Sequence, residues 1–389
     1  MATLKRRIMA PGPVEIPPET LIAAAAPGPH HRTREFRLAL QEALAGLRRI
    51  LDTTGPVMPL ATSGTGAMEA CVVSLFSPGE EVLVTVCGNF SQRWAEICEA
   101  YGLLVHRIES AWGEPVNVKE LETKLKRHDT YAGVFTILSE TSTGVENDIQ
   151  GIGEAVARSR AILVVDGVSG IGALPFHMDA WHVDALAIGS QKALMVPPGL
   201  GLVALSAKAR ERLAGAKIPR YYLSLQKALK ALEAEDLPDT PFTPPVSLIL
   251  QLRESIRAIE REGLEKGWAR QARLGNAVRA AVQAMNLKLL VGPGASNVLP
   301  AVECEKGPDA KAVVKRLRDD WGISIVGGQG KLKGRIFRIG HVGYVDEVDV
   351  LGTIAAIEMV LRRLGWACTP GAGVAAAEAV FLAGDAPHA

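Results

Sequence analysis

From Thr62 onward the chain alternates short apolar runs with longer amphipathic ones, and no other feature restricts its fold as tightly. The runs "EVLVTV" (81–86), "LLVHRI" (103–108), "AGVFTIL" (132–138), "AILVVD" (161–166), "DALAIG" (184–189) and "GLVALS" (201–206) read as strands. Helix-length segments such as "SQRWAEICEAYG" and "GIGEAVARSR" separate several of them. Strands that are apolar throughout must be covered on both faces, and helices in the connections supply the cover. The expectation is an α/β fold built on a mostly parallel sheet with helices on each side. Upstream, "TREFRLALQEALAGLRRILDT" places Phe36, Leu40, Leu44, Leu47 and Leu51 at helical spacing.

The alternation breaks at "EDLPDTPFTPPV" (235–246), where Pro238, Pro241, Pro244 and Pro245 deny a continuous helix or a central strand. Two long helices are expected beyond it, in "VSLILQLRESIRAIEREG" and "GWARQARLGNAVRAAVQAM". A smaller α/β unit follows, with strands in "LPAVEC" and "RIFRIG" and helices around 309–319 and 346–363. The expected division is an N-terminal segment (1–30) packed against the smaller unit, a large domain (31–250) and a C-terminal domain (251–389). The tail after about 366 is expected to lie on the surface as a helix or to fray.

With 43 basic and 42 acidic residues the net charge is +1, which gives no footprint for nucleic acid or an anionic membrane. No apolar run has the length of a membrane span, and the N-terminus lacks the apolar core of a signal peptide. The five cysteines, Cys71, Cys87, Cys98, Cys304 and Cys368, form no Cys-x-x-Cys pair and are odd in number. A cytoplasmic location is expected. His30 and His31 have no carboxylate or cysteine at ligand spacing, so no metal is expected.

Two charges sit awkwardly in this scheme. Asp166 ends the apolar run "AILVVD", and Lys192 follows "DALAIGSQ" in a rigid apolar setting, "ALMVPPGLG". An Asp-Gly turn would account for the first and a solvated loop for the second, each taken alone. Both strands end at the edge where α/β sheets bind ligands. A lysine held there is partly desolvated, which makes its neutral amine available as a nucleophile. A third element, "ATSGTGAMEACVVSLF" (61–76), starts a helix with a Ser-Gly-Thr turn whose N–H groups suit an anion. It is neither a Walker motif nor a dinucleotide fingerprint. One ligand joins the three: pyridoxal 5'-phosphate needs an amine for its aldehyde, an acid for its ring nitrogen and a cradle for its phosphate.

At these residues the chain resembles the class V, fold-type I pyridoxal-phosphate aminotransferases, close to the alanine–glyoxylate and serine–pyruvate (serine–glyoxylate) group. The likeness rests on "SGTGAMEA", "SETSTGVEND", "VVDGVSGIGALPF", "GSQKALMVPPGLG", "LRESIRAIEREGLE" and "FRIGHVG", in one order along nearly the whole chain. It implies a large domain with a mostly parallel seven-stranded sheet, a smaller C-terminal domain, and an N-terminal segment near the active site. It also implies roles. Lys192 would bond the cofactor's aldehyde carbon, Asp166 would partner the pyridine nitrogen, and Val168 would pack on one ring face. Ser63, Gly64 and Thr65 would cradle the phosphate with help from Gln191. Thr141 would hydrogen-bond near the phenolic oxygen, and Phe90 would stack on the ring. Thr243 would reach the phosphate of a second copy, making a homodimer part of the active site. A tyrosine that some members carry three residues before that threonine is Thr240 here, which departs from the pattern. Arg338 would clamp the substrate's α-carboxylate, although an edge-strand salt bridge would also explain such an arginine. The "PGP" at 11–13 would lie near the substrate entrance.

The implied reaction moves an amino group from alanine or serine to glyoxylate or pyruvate in two half-reactions. Lys331, Lys333 and Arg335 near the clamp keep aspartate or an aminophosphonate open as donor, and ureidoglycine is a further alternative. Cysteine desulfuration would need a cysteine on a mobile loop. A non-catalytic partner subunit, as names of some relatives in soluble hydrogenase complexes suggest, would have no use for Lys192, Asp166 and Arg338 together. A nicotinamide-dependent dehydrogenase is disfavoured by the glycine spacing of "GVSGIG".

Overall fold

The computed structural model describes residues 4–25, 27–234 and 236–383. Helix α1 (Arg34–Leu51) starts on Thr33, whose hydroxyl accepts the Phe36 N–H, and buries Phe36, Leu40, Leu44, Leu47 and Leu51 along one face. The chain then runs through β1 (Val57–Leu60), α2 (Gly64–Leu75), β2 (Glu81–Val86), α3 (Asn89–Ala100), β3 (Leu104–Glu109) and β4 (Gly133–Ile137). It continues with α4 (Ile149–Ala157), β5 (Ile162–Asp166), β6 (Ala185–Gly189) and β7 (Gly201–Leu205).

These seven strands form one sheet in the order β1-β7-β6-β5-β4-β2-β3. Strand β7 is antiparallel to both neighbours, and the other six share one direction. Every residue of β4, β5, β6 and β7 is buried. Alternate side chains enter two separate cores: Leu163, Val165, Leu186 and Ile188 pack on the α1 side, while Val164, Ala185 and Ala187 pack on the α2 side. Strand β1 escapes the sequence reading because Pro59 interrupts its four residues. At the sheet edge a proline costs little, since one side of the strand needs no donor.

Beyond the proline-rich segment come α5 (Val246–Glu262) and α6 (Leu264–Ala284). A four-stranded antiparallel sheet follows, from β8 (Lys288–Leu289), β9 (Ala301–Glu303), β10 (Val326–Gly327) and β11 (Ile336–Arg338), in the order β8-β9-β11-β10. Helices α7 (Ala310–Trp321), α8 (Glu347–Arg363) and α9 (Ala372–Ala383) cover it. The boundary expected at 250/251 falls inside α5. Ile249, Leu252, Ile256 and Ile259 on that helix all join the larger core, and the smaller core begins with Leu274 and Val278 of α6. The tail after 366 does not fray within the described residues: α9 buries Ala377 and Phe381 in the smaller core. Residues 384–389 lie outside the description.

The N-terminal segment pairs Arg7–Ile8 in parallel with Ile323–Ser324 and accepts the Gly340 N–H on the Met9 carbonyl. It therefore belongs to the smaller unit by hydrogen bonding, and it runs from there toward the larger sheet. Among the described residues no helix is long and apolar enough to cross a membrane.

Candidate active site

The carboxyl ends of six parallel strands face one side of the sheet, and the residues with unusual chemistry gather there. Asp166 is the last residue of β5, in register with Ile137 of β4 and Ala187 of β6. It is buried, and its carboxylate accepts the Val168 N–H at 2.8 Å. Burial pushes its carboxyl up to about 7, Glu140 adds to the rise, and the Val168 bond, Arg93 and Lys192 oppose it.

Lys192 stands three residues past β6. Its Nζ donates to the Pro11 carbonyl at 2.7 Å, so the N-terminal segment reaches directly onto this amine. Gly12 is the next residue; its φ of +131° and a Cβ position 2.7 Å from Lys192 Nζ leave room for glycine alone. Burial lowers the Lys192 ammonium to about 8, with Asp166 working against that shift and Arg338 and Arg93 reinforcing it. A substantial neutral fraction near pH 8 follows, which a proton-transferring amine requires.

Arg338 ends β11 and is buried. Its Nε and Nη2 donate to the Gly327 carbonyl at 3.0 and 2.7 Å, and Nη1 donates to the Thr141 carbonyl at 2.5 Å. Burial lowers its pKa to about 10. These partners are carbonyls, so the edge-strand salt bridge weighed from the sequence is not formed among the described residues. The anionic group that acts on it within the chain is Glu140, which favours its charge from nearby.

Ser63 caps α2, its hydroxyl accepting the Gly66 N–H at 3.4 Å, and the free N–H groups of the first turn point out of the helix. A Cβ on Gly64 would stand 2.6 Å from a Val168 methyl, so Gly64 and Val168 form one wall. Gln191 Oε1 is buried without a partner among the described residues and would lie 2.9 Å from a Cβ on Gly189. Phe90, at the start of α3, is half-buried. Thr243 is exposed, and its loop is tied to the start of the large unit, where Arg32 pairs with Asp239 at 2.7 Å and donates to the Thr240 carbonyl. Thr240 donates its hydroxyl to the Phe242 carbonyl, which commits its one donor inside its own loop.

Two charged residues of this site escaped the sequence reading although the quoted motifs contain them. Arg93, in "NFSQRW", donates to the Thr65 hydroxyl at 3.0 Å and lies 4.9 Å from the Phe90 ring centroid. Glu140, in "SETSTG", is fully buried between α3 and β11. Arg93 is hidden because it lies on a helix, whereas Glu140 ends the short strand Ser139–Glu140 just past β4. The three cations named near the clamp, Lys331, Lys333 and Arg335, are all exposed; Arg335 pairs with Glu305, and Lys331 lies 5.5 Å from the Trp112 ring. Cys304 is buried with its thiol raised to about 12 by burial, unlike the mobile thiol that desulfuration needs.

Residues 19–333 match the family described as aminotransferase class-V. The chain belongs to that family. This aminotransferase is 38% identical to the L-aspartate–glyoxylate aminotransferase of Paracoccus denitrificans, over 97% of this chain and 96% of the relative. It is 39% identical to a protein named soluble hydrogenase, small subunit, of a Synechococcus species, over 97% of this chain and 98% of the other. The crystal structure of ureidoglycine–glyoxylate aminotransferase from Bacillus subtilis superposes with a TM-score of 0.93 at 30% identity, covering 98% of this chain and 99% of that one. The fold of this aminotransferase is thus the α/β fold of pyridoxal-phosphate aminotransferases, and its family implies that cofactor.

The donor set fits the implied cofactor. A wall at Gly64 and Val168, the N–H groups that start α2, a buried acid and a lysine whose ammonium is disfavoured by burial meet at one sheet edge, with the buried Gln191 amide beside them.

Proposed function

We propose that this aminotransferase moves an amino group from a small amino acid, alanine or serine, to glyoxylate or pyruvate. The observation that carries the reading is Arg338: a buried guanidinium beside Lys192, bonded to carbonyls and free to pair with one carboxylate. The other cations near the clamp are engaged or surface-placed, which supports a donor with a single carboxylate.

In this reading Lys192 holds pyridoxal phosphate by its aldehyde carbon and Asp166 faces its ring nitrogen. Ser63, Gly64, Thr65 and Gln191 hold the phosphate, Phe90 and Val168 enclose the ring, and Thr141 stands near the phenolic oxygen. The cofactor, when bound, supplies an electron sink for the charge released at the donor's Cα. Lys192 Nζ, as a neutral amine, removes the Cα proton. Arg338 fixes the donor's carboxylate and so orients that Cα–H bond. A protonated ring nitrogen next to Asp166 would return the carboxyl to its ionised form, matching one buried charge with another.

The reading includes a homodimer. Thr243 is exposed, and beside it Tyr222 stacks on Phe242 with centroids 5.1 Å apart while Tyr221 is 70% exposed. An exposed aromatic cluster of this kind suits a protein interface, through which Thr243 would meet the phosphate of the second copy.

The test is a half-reaction screen: alanine, serine and L-aspartate are mixed with the purified holoenzyme, and loss of visible absorbance is followed before and after glyoxylate or pyruvate is added. Bleaching by alanine or serine, reversed by either oxo acid, is the expected result. Bleaching by L-aspartate alone would move the assignment to the donor named for the Paracoccus relative. A protein that shows neither absorbance nor a borohydride-trapped lysine adduct would favour the partner-subunit reading that the Synechococcus relative's name suggests.

A further inference from the structure

Glu140 has no part in the chemistry above, yet it is 0% exposed and accepts hydrogen bonds from five groups. Its Oε2 takes the Phe90 N–H at 3.1 Å, the Ser91 N–H at 2.7 Å and the Ser91 hydroxyl at 2.9 Å. Its Oε1 takes the Ser142 N–H at 3.1 Å and the Ser142 hydroxyl at 2.6 Å. Ser142 Oγ in turn accepts the Asn89 N–H at 2.9 Å. The first three N–H groups of α3 are therefore satisfied by residues 140 and 142 of a separate loop. The residue at the cap position, Gly88, has no side chain to do so, and a Cβ there would collide with the Glu140 carboxyl.

The same loop serves the other end of the site. Thr141, next in sequence, gives its carbonyl to Arg338 Nη1 at 2.5 Å. Glu140 also acts electrostatically on Arg338, whose charge it favours, and on Asp166, whose charge it opposes. One buried carboxylate thus fixes the helix start that carries Phe90 and the loop that carries the carbonyl partner of Arg338.

We infer that Glu140 is a positioning residue that couples cofactor affinity to donor affinity by holding the Phe90 helix start and the Thr141–Arg338 contact in one hydrogen-bond network. The inference rests on the proposed roles of Phe90 and Arg338.

Glu140→Gln tests it without changing shape. Backbone N–H groups donate to both carboxylate oxygens, so in either orientation the amide NH2 must face a backbone donor. In the holoenzyme the pyridoxal-phosphate concentration for half-saturation and the donor KM should each rise about tenfold, while kcat falls less than KM rises. The borohydride-trapped adduct at Lys192 should persist. In an Arg338→Gln background the effect of Glu140→Gln on donor KM should shrink, because the contact it supports is gone. If Arg338→Gln alone leaves donor KM unchanged while Glu140→Gln raises it, the clamp assignment fails and not the network. Ser142→Ala, a milder cut in the same network, should raise both quantities about threefold and decides the matter if Glu140→Gln does not fold. Either affinity unchanged in a folded variant, or a loss seen only as a lower melting temperature, overturns the inference.

Discussion

Replacing Asp166 by asparagine should make the cofactor-free protein more stable and the enzyme slower. The bond from the Val168 N–H at 2.8 Å can be kept by the amide oxygen, so packing is nearly unchanged. Burial carries the carboxyl from its ordinary 3.8 to about 7. The folded group therefore binds its proton more tightly than the unfolded one, and native stability falls as pH rises from about 4 to about 7. Three units amount to about 4 kcal/mol once both states are ionised. Asparagine carries no such cost. Asp166→Asn should gain about 2 kcal/mol over wild type at pH 5 and up to about 4 kcal/mol at pH 8. The pH 8 figure is a ceiling, since Lys192 loses the anion that helps retain its proton. Urea unfolding of cofactor-free protein at fixed protomer concentration, at pH 4, 5, 6 and 8, reads the difference directly. A gain that does not grow between pH 5 and pH 8, or a loss at pH 8, would refute the account of Asp166 as a buried acid whose burial outweighs its partners. In the holoenzyme the same change should lower kcat about a hundredfold or more, because a neutral amide no longer stabilises a charged ring nitrogen.

Lys192→Ala should abolish the borohydride-trapped adduct and reduce transamination by about 10⁴-fold or beyond, measured by oxo-acid formation. Undiminished turnover would remove Lys192 from the mechanism. Arg338→Lys should raise donor KM tenfold to about a hundredfold in steady-state assays, because an ammonium cannot reproduce the planar fork. Gly64→Ala places a methyl 2.6 Å from a Val168 methyl and should cost about 1–3 kcal/mol in urea unfolding, with weaker cofactor retention on dialysis.

The legible part of this chain was whatever a local pattern could carry. Continuous apolar runs gave β2 to β7 within a residue or two at each end; β4 to β7 are buried on both faces, whereas β3, at the sheet edge, is mostly exposed and buries only Ile108. Strand β1 was not legible because four residues with a proline at 59 look like a turn until the sheet edge excuses it. Asp166 and Lys192 could be singled out from strand ends, because a charge following an apolar run contradicts its surroundings. Arg93 could not, since a polar residue on a helix contradicts nothing until the fold encloses it, whereas Glu140, two residues past the run 132–138, carries the same signal as Asp166 and Lys192. The proline-rich segment marks a change of composition, whereas the helix after it still packs into the larger core through Ile259, and Val298, Leu299, Leu332 and Ile336 return to that core.

The hydrogen bond from Lys192 to Pro11 has a practical side for anyone preparing this protein. A sample trimmed by a protease before Gly12 would still contain both sheets, all three cores apart from Met9 and Ile8's short pairing, and each side chain assigned to catalysis. It would run nearly unchanged on a gel and yet lack the Pro11 carbonyl that accepts the Lys192 amine. Intact mass therefore belongs beside specific activity in any comparison between preparations, because Pro11, close to the start of the chain, holds the amine proposed to do the chemistry.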